Sequence, residues 1–477
     1  MRNLHVLVLL MCFTLAHSQV GIGTTSPDPS SILDISSDSQ GFLAPRMTTA
    51  QRLAITNPAD GLMVFDTDLG SFLYFNDTLS NWGEIKASTN GRVNYKLIQS
   101  EVDLASELAA GGGAKYSLDE NVLYEINGVI SLNYPIALND AYIMGRDSGE
   151  DMLIASGDVF QCSKGGVIKN LMLRSTGGKV FNFQGSGAEV LMVRDCIIDG
   201  SSEVGIIKDY YMYFSSLVLF SANSNGIIYE NINELLLENQ GWYGSNSGIY
   251  ETYTGTFGNI QQDGGFFVAN GSTIGLDVSS NPTVNSGIIS GAVFSGNSST
   301  YVQGYTAGSY SGYNFSNAWT VNCPGIPEES DAVATGDINM DYAEGSGATT
   351  NFTNNSETKK IVGTTTSNNL FRFSRNGNNK IEYLGEESRY FQVNASLSFK
   401  PTATSTYIVY IAKNGVVESE TKVYGRATSS WFSPASLIAL PITGTLLLDK
   451  NDEISVYVRR SEGSGSLKTL SLNLSIR

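Results

Sequence analysis

Two groups of residues in this chain have types and spacings suited to chemistry: a run of aromatic rings among neutral polar side chains, and a few neighbouring carboxylates. The rings are Trp242, Tyr243, Tyr250, Tyr253 and Phe257, then Tyr301, Tyr305, Tyr310, Tyr313 and Trp319, interleaved with Gly, Ser and Asn. Flat rings flanked by hydroxyls and amides suit stacking on neutral sugars. Trp242, Tyr243, Tyr250, Tyr253, Tyr305, Tyr310, Tyr313 and Trp319 are therefore the candidate glycan-stacking residues. The competing reading is ordinary packing between structural repeats and at a subunit seam. Among the carboxylates, Arg194-Asp195 with Asp199, and Lys208-Asp209, are the best placed for acid–base work. Hydrolysis of a glycosidic bond needs two carboxyl groups about 5–9 Å apart. Solvated turn carboxylates have the same sequence pattern, and no residue is assigned a catalytic role. Glu230, Glu234 and Glu238 are spaced like a helix face, but Leu235–Leu237 between them reads as strand, leaving surface charges. Asp337-Ile338-Asn339-Met340-Asp341 opens like a calcium loop. Tyr342 then stands where the loop needs Gly, and Ala348 where it needs Glu. No cofactor and no metal is expected.

Whole classes of chemistry are absent. The two histidines, His5 and His17, both precede Gln19. In that leading segment Met1-Arg2-Asn3, the apolar run Leu4 to Leu15 and Ala16-His17-Ser18 compose an export signal cleaved after Ser18. A mature chain without histidine has no Ser-His-Asp or Cys-His triad and no histidine-ligated zinc. The expected location is secreted or cell-surface. No later stretch approaches the ~20 apolar residues of a membrane span. Of the four cysteines Cys12 lies in the export signal, and the remaining Cys162, Cys196 and Cys323 are an odd count, which suits buried thiols, with a Cys162–Cys196 bridge left open.

The charge distribution narrows the partners. From Asp209 to Thr358 the chain carries 14 acidic side chains and no Lys or Arg, whereas Lys359 to Arg477 has 15 basic and 9 acidic residues. A cation-free surface repels phosphate backbones and anionic glycans, so nucleic acid is not a partner. Neutral glycans and protein surfaces remain.

These residues must be positioned by β-structure, because only 16% of the chain is charged and 50 residues are glycine. The chain divides into an export signal (1–18), a β-meander collar (19–90), a solenoid (91–322), an acidic linker or cap (323–358) and a head (359–477). In the collar, strands Leu62–Phe65 and Phe72–Phe75 follow turns. In the solenoid, the triplets Leu171–Leu173, Cys196–Ile198, Leu217–Leu219 and Leu235–Leu237 follow one another at steps of 25, 21 and 18. Periods near 20 with strand signals predict a coil that buries its inner face by stacking on neighbours. Gly205-Ile206-Ile207, Gly226-Ile227-Ile228 and Gly287-Ile288-Ile289 are candidates for a second strand of some coils. A parallel β-helix of about nine coils, stacked at ~4.8 Å, fits best, with a stacked β-sandwich as the alternative. In the head, Phe391, Val393, Ala395, Leu397 and Phe399 alternate with polar residues, and Asn414-Gly415 is a two-residue hairpin turn. That predicts an antiparallel β-sandwich of the jelly-roll kind.

Three resemblances accompany this reading. Gln19 to Pro27, Leu33-Asp34, Gly41 to Thr48, Gln51-Arg52 and Gly61 to Asp68 resemble the collar segment of secreted Bacteroidota proteins and of phage tail-fibre-like proteins. The solenoid period is similar to that of proteins of the pectin-lyase-like family, a resemblance that implies a right-handed parallel β-helix. The galacturonase-like enzymes among these carry an Asp-Asp pair, a Gly-His-Gly and an Arg-Ile-Lys, none of which the mature chain has. Ile411 to Gly415, Leu448 to Val456 and the closing strand to Ile476 resemble the trimeric heads of the complement and tumour-necrosis-factor type, with Asn451-Asp452 where that family usually has Gly-Asp. These resemblances imply an exported, non-enzymatic, fibre- or adhesin-like homotrimer that binds a neutral glycan or protein receptor. The trimer would be held mainly by residues 359–477, through the aromatic run Phe371 to Phe373, Tyr383 and Tyr390-Phe391. The alternative is a carbohydrate-active β-helix enzyme, a polysaccharide lyase or glycoside hydrolase.

Overall fold

The computed structural model describes residues 19–85, 94–428 and 436–477. The export signal expected over 1–18 and the module boundary expected at 90/91 lie outside the described residues. The chain is nearly all β, about 51% strand and 5% helix, and splits into two compact units that divide between Val93 and Asn94. Among the described residues no helix is long and apolar enough to cross a membrane.

In the first unit a four-stranded sheet runs Arg46–Met47, Met63–Asp66, Ser71–Asn76, Asn81–Glu84. A one-turn helix, Thr49–Leu53, starts at a capping box in which the Thr48 hydroxyl and the Gln51 side chain each satisfy the other's backbone N–H. Arg52 reaches from that helix to the buried Asp66 carboxylate at 2.9 Å and lies over the Trp82 ring. So small a module cannot cover its own apolar surface: Ile32, Phe42, Leu43, Leu53, Leu69 and Leu79 are exposed, Ile32 by 80%.

The second unit opens with a parallel β-solenoid of about nine turns, from Tyr95–Ile98 to Trp319–Asn322. Each coil has three faces, as in Gly166–Lys169, Met172–Ser175 and Lys179–Gln184. The corner between first and second faces needs a left-handed residue, and Asn170, Asp195, Leu217, Asn239, Gly264 and Gly291 stack there with φ between 49° and 68°. Asn, Asp and Gly tolerate that conformation, which explains the turn residues seen at each period. At the next corner a hydrogen-bond ladder climbs the buried Ser175, Ser201, Asn223 and Asn246, the backbone N–H of each of the first three donating to the side-chain oxygen one coil on. It satisfies backbone donors that the corner would otherwise strand. The lumen is filled by stacked rings such as Trp242–Tyr250 and Phe267–Phe294, with centroids 4.5 and 4.7 Å apart.

The register corrects the expected triplets. Met172, Ile197 and Leu219 stack, as do Leu173, Ile198 and Phe220, so the third triplet is Val218–Phe220. Leu235–Leu237 lies on a different face, above Tyr213–Ser215. The period here runs from 25, between Met172 and Ile197, to 22, between Ile197 and Leu219; the apparent shortening to 18 comes from comparing two faces. Gly205 pairs with Ile227, one place beyond the expected Gly226, and Gly287-Ile288-Ile289 sits on the first face. Periodicity alone does not distinguish the faces, because each buries the same alternation.

Two antiparallel sheets follow and share one core. One runs Leu370–Phe371, Thr335–Asp341, Leu467–Ile476, Arg389–Pro401, Ile438–Leu448; the other is built on Ser405–Lys413 and Glu453–Gly463. Asn414 and Gly415, at φ 51° and 79°, make the expected hairpin turn. The segment 323–358, expected as a linker or cap, supplies Thr335–Asp341 and Ala348–Thr350, both paired with Leu467–Ile476. Its apolar alternation is only Ile338 and Met340, too short to stand out among Gly and Ser. The calcium-loop candidate is thus a strand, in which the Asp337 carboxylate accepts the backbone N–H groups of Asn368 and Asn369.

Candidate binding cleft where the last coil meets the sandwich

After the strand Val302–Gln303 the final coil runs through a long loop, residues 304–318, to the strand Trp319–Asn322. Buried Glu329 pins this loop by accepting the backbone N–H groups of Asn314 and Phe315 at 2.6 and 2.9 Å. Burial raises the Glu329 pKa against those two hydrogen bonds. From the sandwich side, Arg372, buried and left-handed at φ 59°, donates to the carbonyl oxygens of Asn317 and Trp319. Asp331 stands 3.5 Å from its guanidinium and accepts the N–H groups of Glu386 and Glu387. This buried ion pair, in which backbone groups engage Asp331 Oδ2 and both terminal nitrogens of Arg372 while Asp331 Oδ1 and Arg372 Nε face each other without a hydrogen bond, joins the solenoid to the sandwich.

Beside it opens a cleft of about 840 Å³. Its aromatic wall is Tyr313 and Tyr310, both packed on the buried Phe371 ring behind them, Tyr313 stacked at 4.0 Å and Tyr310 edge-on at 5.3 Å. Ser309, Ser311, Ser367, Asn368, Asn369 and Ser374 supply neutral hydrogen-bonding groups, and Arg375 the one cation. The Ser367 hydroxyl is buried without a protein partner. An aromatic platform with convergent hydroxyls and amides is what a neutral sugar ring needs. A second cleft, about 660 Å³, is lined by Glu328, Asp331, Glu386, Glu387 and Arg389. Two of these carboxylates are already engaged, Asp331 with Arg372 and Glu386 with Lys450 at 2.6 Å.

The candidate aromatic series separates by burial. Trp242, Tyr250, Tyr253, Tyr305 and Trp319 are buried in the solenoid core and present no face to an external sugar. Trp319 closes the lumen, stacking over Tyr253 and donating to the Tyr305 hydroxyl at 3.0 Å. Trp242, Tyr250 and Tyr253 surround Glu251, a fully buried carboxyl hydrogen-bonded by Tyr253 and Gln262. Tyr243 is exposed but stands on the second face against Phe266. Only Tyr310 and Tyr313 line the cleft. Phe371, Ser367 and Arg375 reach it from the sandwich, far along the chain, and nothing local in the sequence links them to the tyrosines. The carboxylate candidates are dispersed: Asp199 pairs with Arg174 and the Ser221 hydroxyl, Asp195 with Arg194, and Lys208 lies between Asp209 and Glu230. Phe371, Phe373, Tyr383 and Phe391, expected to supply a trimer surface, are buried in their own chain, leaving Tyr390 exposed. Cys162, Cys196 and Cys323 are free, buried thiols, so the Cys162–Cys196 bridge does not form.

No curated protein matches this chain. Among solved structures, two crystal forms of murine APRIL, at pH 8.5 and pH 8.0, are 12% identical, cover 30% of this chain and 98% of theirs, and have TM-scores of 0.20 and 0.19. The enzymatically active domain of tailspike protein 4 of bacteriophage CBA120 is 10% identical, with 91% of this chain and 77% of that one covered and a TM-score of 0.20. At such values neither likeness bears on what this chain binds or does. Residues 21–96 match the family described as phage tail like trimerisation region, a stretch that takes in the collar and the start of the first solenoid strand.

Proposed function

We propose that this chain is an exported, homotrimeric, fibre-like adhesion protein whose collar gathers three copies and whose junction cleft binds a neutral glycan. The observation that carries the glycan reading is Tyr313, backed by the buried Phe371 ring and facing serine and asparagine side chains in an 840 Å³ cleft. The cation-free stretch 209–358 favours an uncharged ligand over nucleic acid or a polyanion. The trimerisation likeness over 21–96 and the collar's exposed Ile32, Phe42 and Leu43 favour assembly of copies through that segment. An array of neutral oligosaccharides probed with the full chain tests the glycan reading. Binding lost in Tyr313→Ala and kept in Tyr243→Ala supports it; binding indifferent to Tyr313 overturns it.

The second reading, a carbohydrate-active enzyme, is favoured by the carboxylate-lined 660 Å³ cleft. Release of saccharide by the wild type, abolished in Glu387→Gln, would establish it in place of simple adhesion.

A further inference from the structure

The outward side chains of the solenoid are not evenly mixed. On the first face one column rises through Tyr95, Leu123, Tyr142, Val167, Met192, Phe214 and Leu236, each paired in register with the next. Seven rungs pass without a charge, over roughly 30 Å at the usual strand spacing. On the second face a parallel column rises through Val129, Met152, Met172, Ile197 and Leu219, passes Gly241 and continues at Phe266. Gly241 does not break it, since the Leu219 and Phe266 side chains lie within 3 Å of where its Cβ would stand. The second column adjoins the left-handed corner, and between the corner and the first column stands a mixed column, Glu125, Met144, Lys169, Arg194, Ser216 and Glu238. The third face is different: Gln161, Asn182, Thr252, Asp277 and Gln303 interrupt the apolar run to Ile206 and Ile228.

We propose that these two columns are the surfaces by which the solenoids of three copies of this chain pack side by side. The inference rests on the homotrimer reading and goes beyond it by naming the shaft interface. Three observations select a second copy as the occupant. A closed threefold ring needs two different patches per subunit, one for each neighbour, and two apolar columns on adjacent faces supply that pair; a twofold dimer would need one. The first column starts at Tyr95, inside the stretch 21–96 that resembles a trimerisation region. The chain carries a net charge of −17, and copies of like charge approach at least cost along uncharged columns. A partner with the same rise per coil can match such a ladder rung for rung.

The test uses the full chain with single cysteines, since the native thiols are buried. Met192 on the first column and Asn182 on the third face are both half-buried in one chain. Light scattering of the wild type is expected to give the mass of three chains. Met192→Cys is then expected to react with a water-soluble maleimide at least about tenfold more slowly than Asn182→Cys. The protection should vanish when Phe214→Lys and Leu236→Lys are added, with the circular dichroism spectrum unchanged because both side chains point outward. A single-chain mass would overturn the homotrimer reading itself. A three-chain mass with Met192→Cys labelled as fast as Asn182→Cys would leave the trimer standing and overturn this interface. Protection that survives the lysine pair, or appears only when phosphatidylcholine vesicles are added, would overturn it as well.

Discussion

At the scale of single residues, the most unusual group is Glu251, a carboxyl with no exposure inside the solenoid. Burial pushes its pKa up to about 7, against the hydrogen bonds from Tyr253 and Gln262 that favour the charged form. One of its oxygens has no partner, as have the Trp242 indole N–H and the Gln262 side-chain oxygen. The folded state therefore holds a proton that the unfolded chain, near 4.5, has already released. Stability from this group is complete below pH 4.5, falls as pH rises towards 7, and is then lost, by about 3 kcal/mol in all. Glu251→Gln keeps the shape and removes the proton. Urea unfolding at pH 5 and pH 8 is expected to show a smaller pH difference for this variant than for wild type; equal differences would mean that Glu251 ionises freely.

Among the structural elements, the corner of each coil asks for one residue in the left-handed region, and five of the six described positions from Asn170 to Gly291 are Asn, Asp or Gly. Leu217, at φ 54° and half exposed, is the exception. A branched aliphatic side chain in that conformation costs about 1–2 kcal/mol relative to the right-handed form, and its exposure recovers little in return. Leu217→Asn is expected to raise the unfolding free energy by about 1 kcal/mol, read as a higher denaturant midpoint at unchanged slope. Loss of stability would show that the leucine side chain is covered by a partner. The position lies beside Leu219 of the second apolar column, so the same measurement bears on the shaft interface.

Across the whole molecule, the solenoid and the sandwich have separate hydrophobic cores, and Arg372 with Asp331 joins them. Removing the guanidinium leaves a buried carboxylate and two carbonyl oxygens without their donor, a loss of about 3 kcal/mol or more. Arg372→Met is expected to uncouple the two parts without unfolding either. Calorimetry should then show two transitions where the wild type shows one, and a protease should cut near Pro324–Glu328. A single lowered transition would instead make the junction part of one cooperative core.

Much of the fold was legible because its determinants are local. Abundant glycine, a recurring strand period and the scarcity of helix formers require a β-solenoid, since a strand burying one face needs a neighbour above and below. Asn414-Gly415 specifies its hairpin through backbone preferences alone. The clean alternation from Phe391 to Phe399 likewise specifies a strand with one buried face. Both histidines precede Gln19, so residues 19–477 hold none, and histidine-dependent mechanisms are excluded there whatever the fold. What the sequence could not carry is the third dimension of side chains with equal hydropathy. Trp319 and Tyr313 look alike in the chain, yet one closes the lumen and the other lines a cleft, because that depends on where the sandwich strand bearing Phe371 returns. The same holds for Phe214 and Tyr213: adjacent residues, one outward and one inward, assigned only when the register places them above Met192 and Leu191. Composition and period decide that there is a coil; which face each residue takes, and therefore what it can touch, is decided by pairing between successive coils, whose partners are distant in sequence.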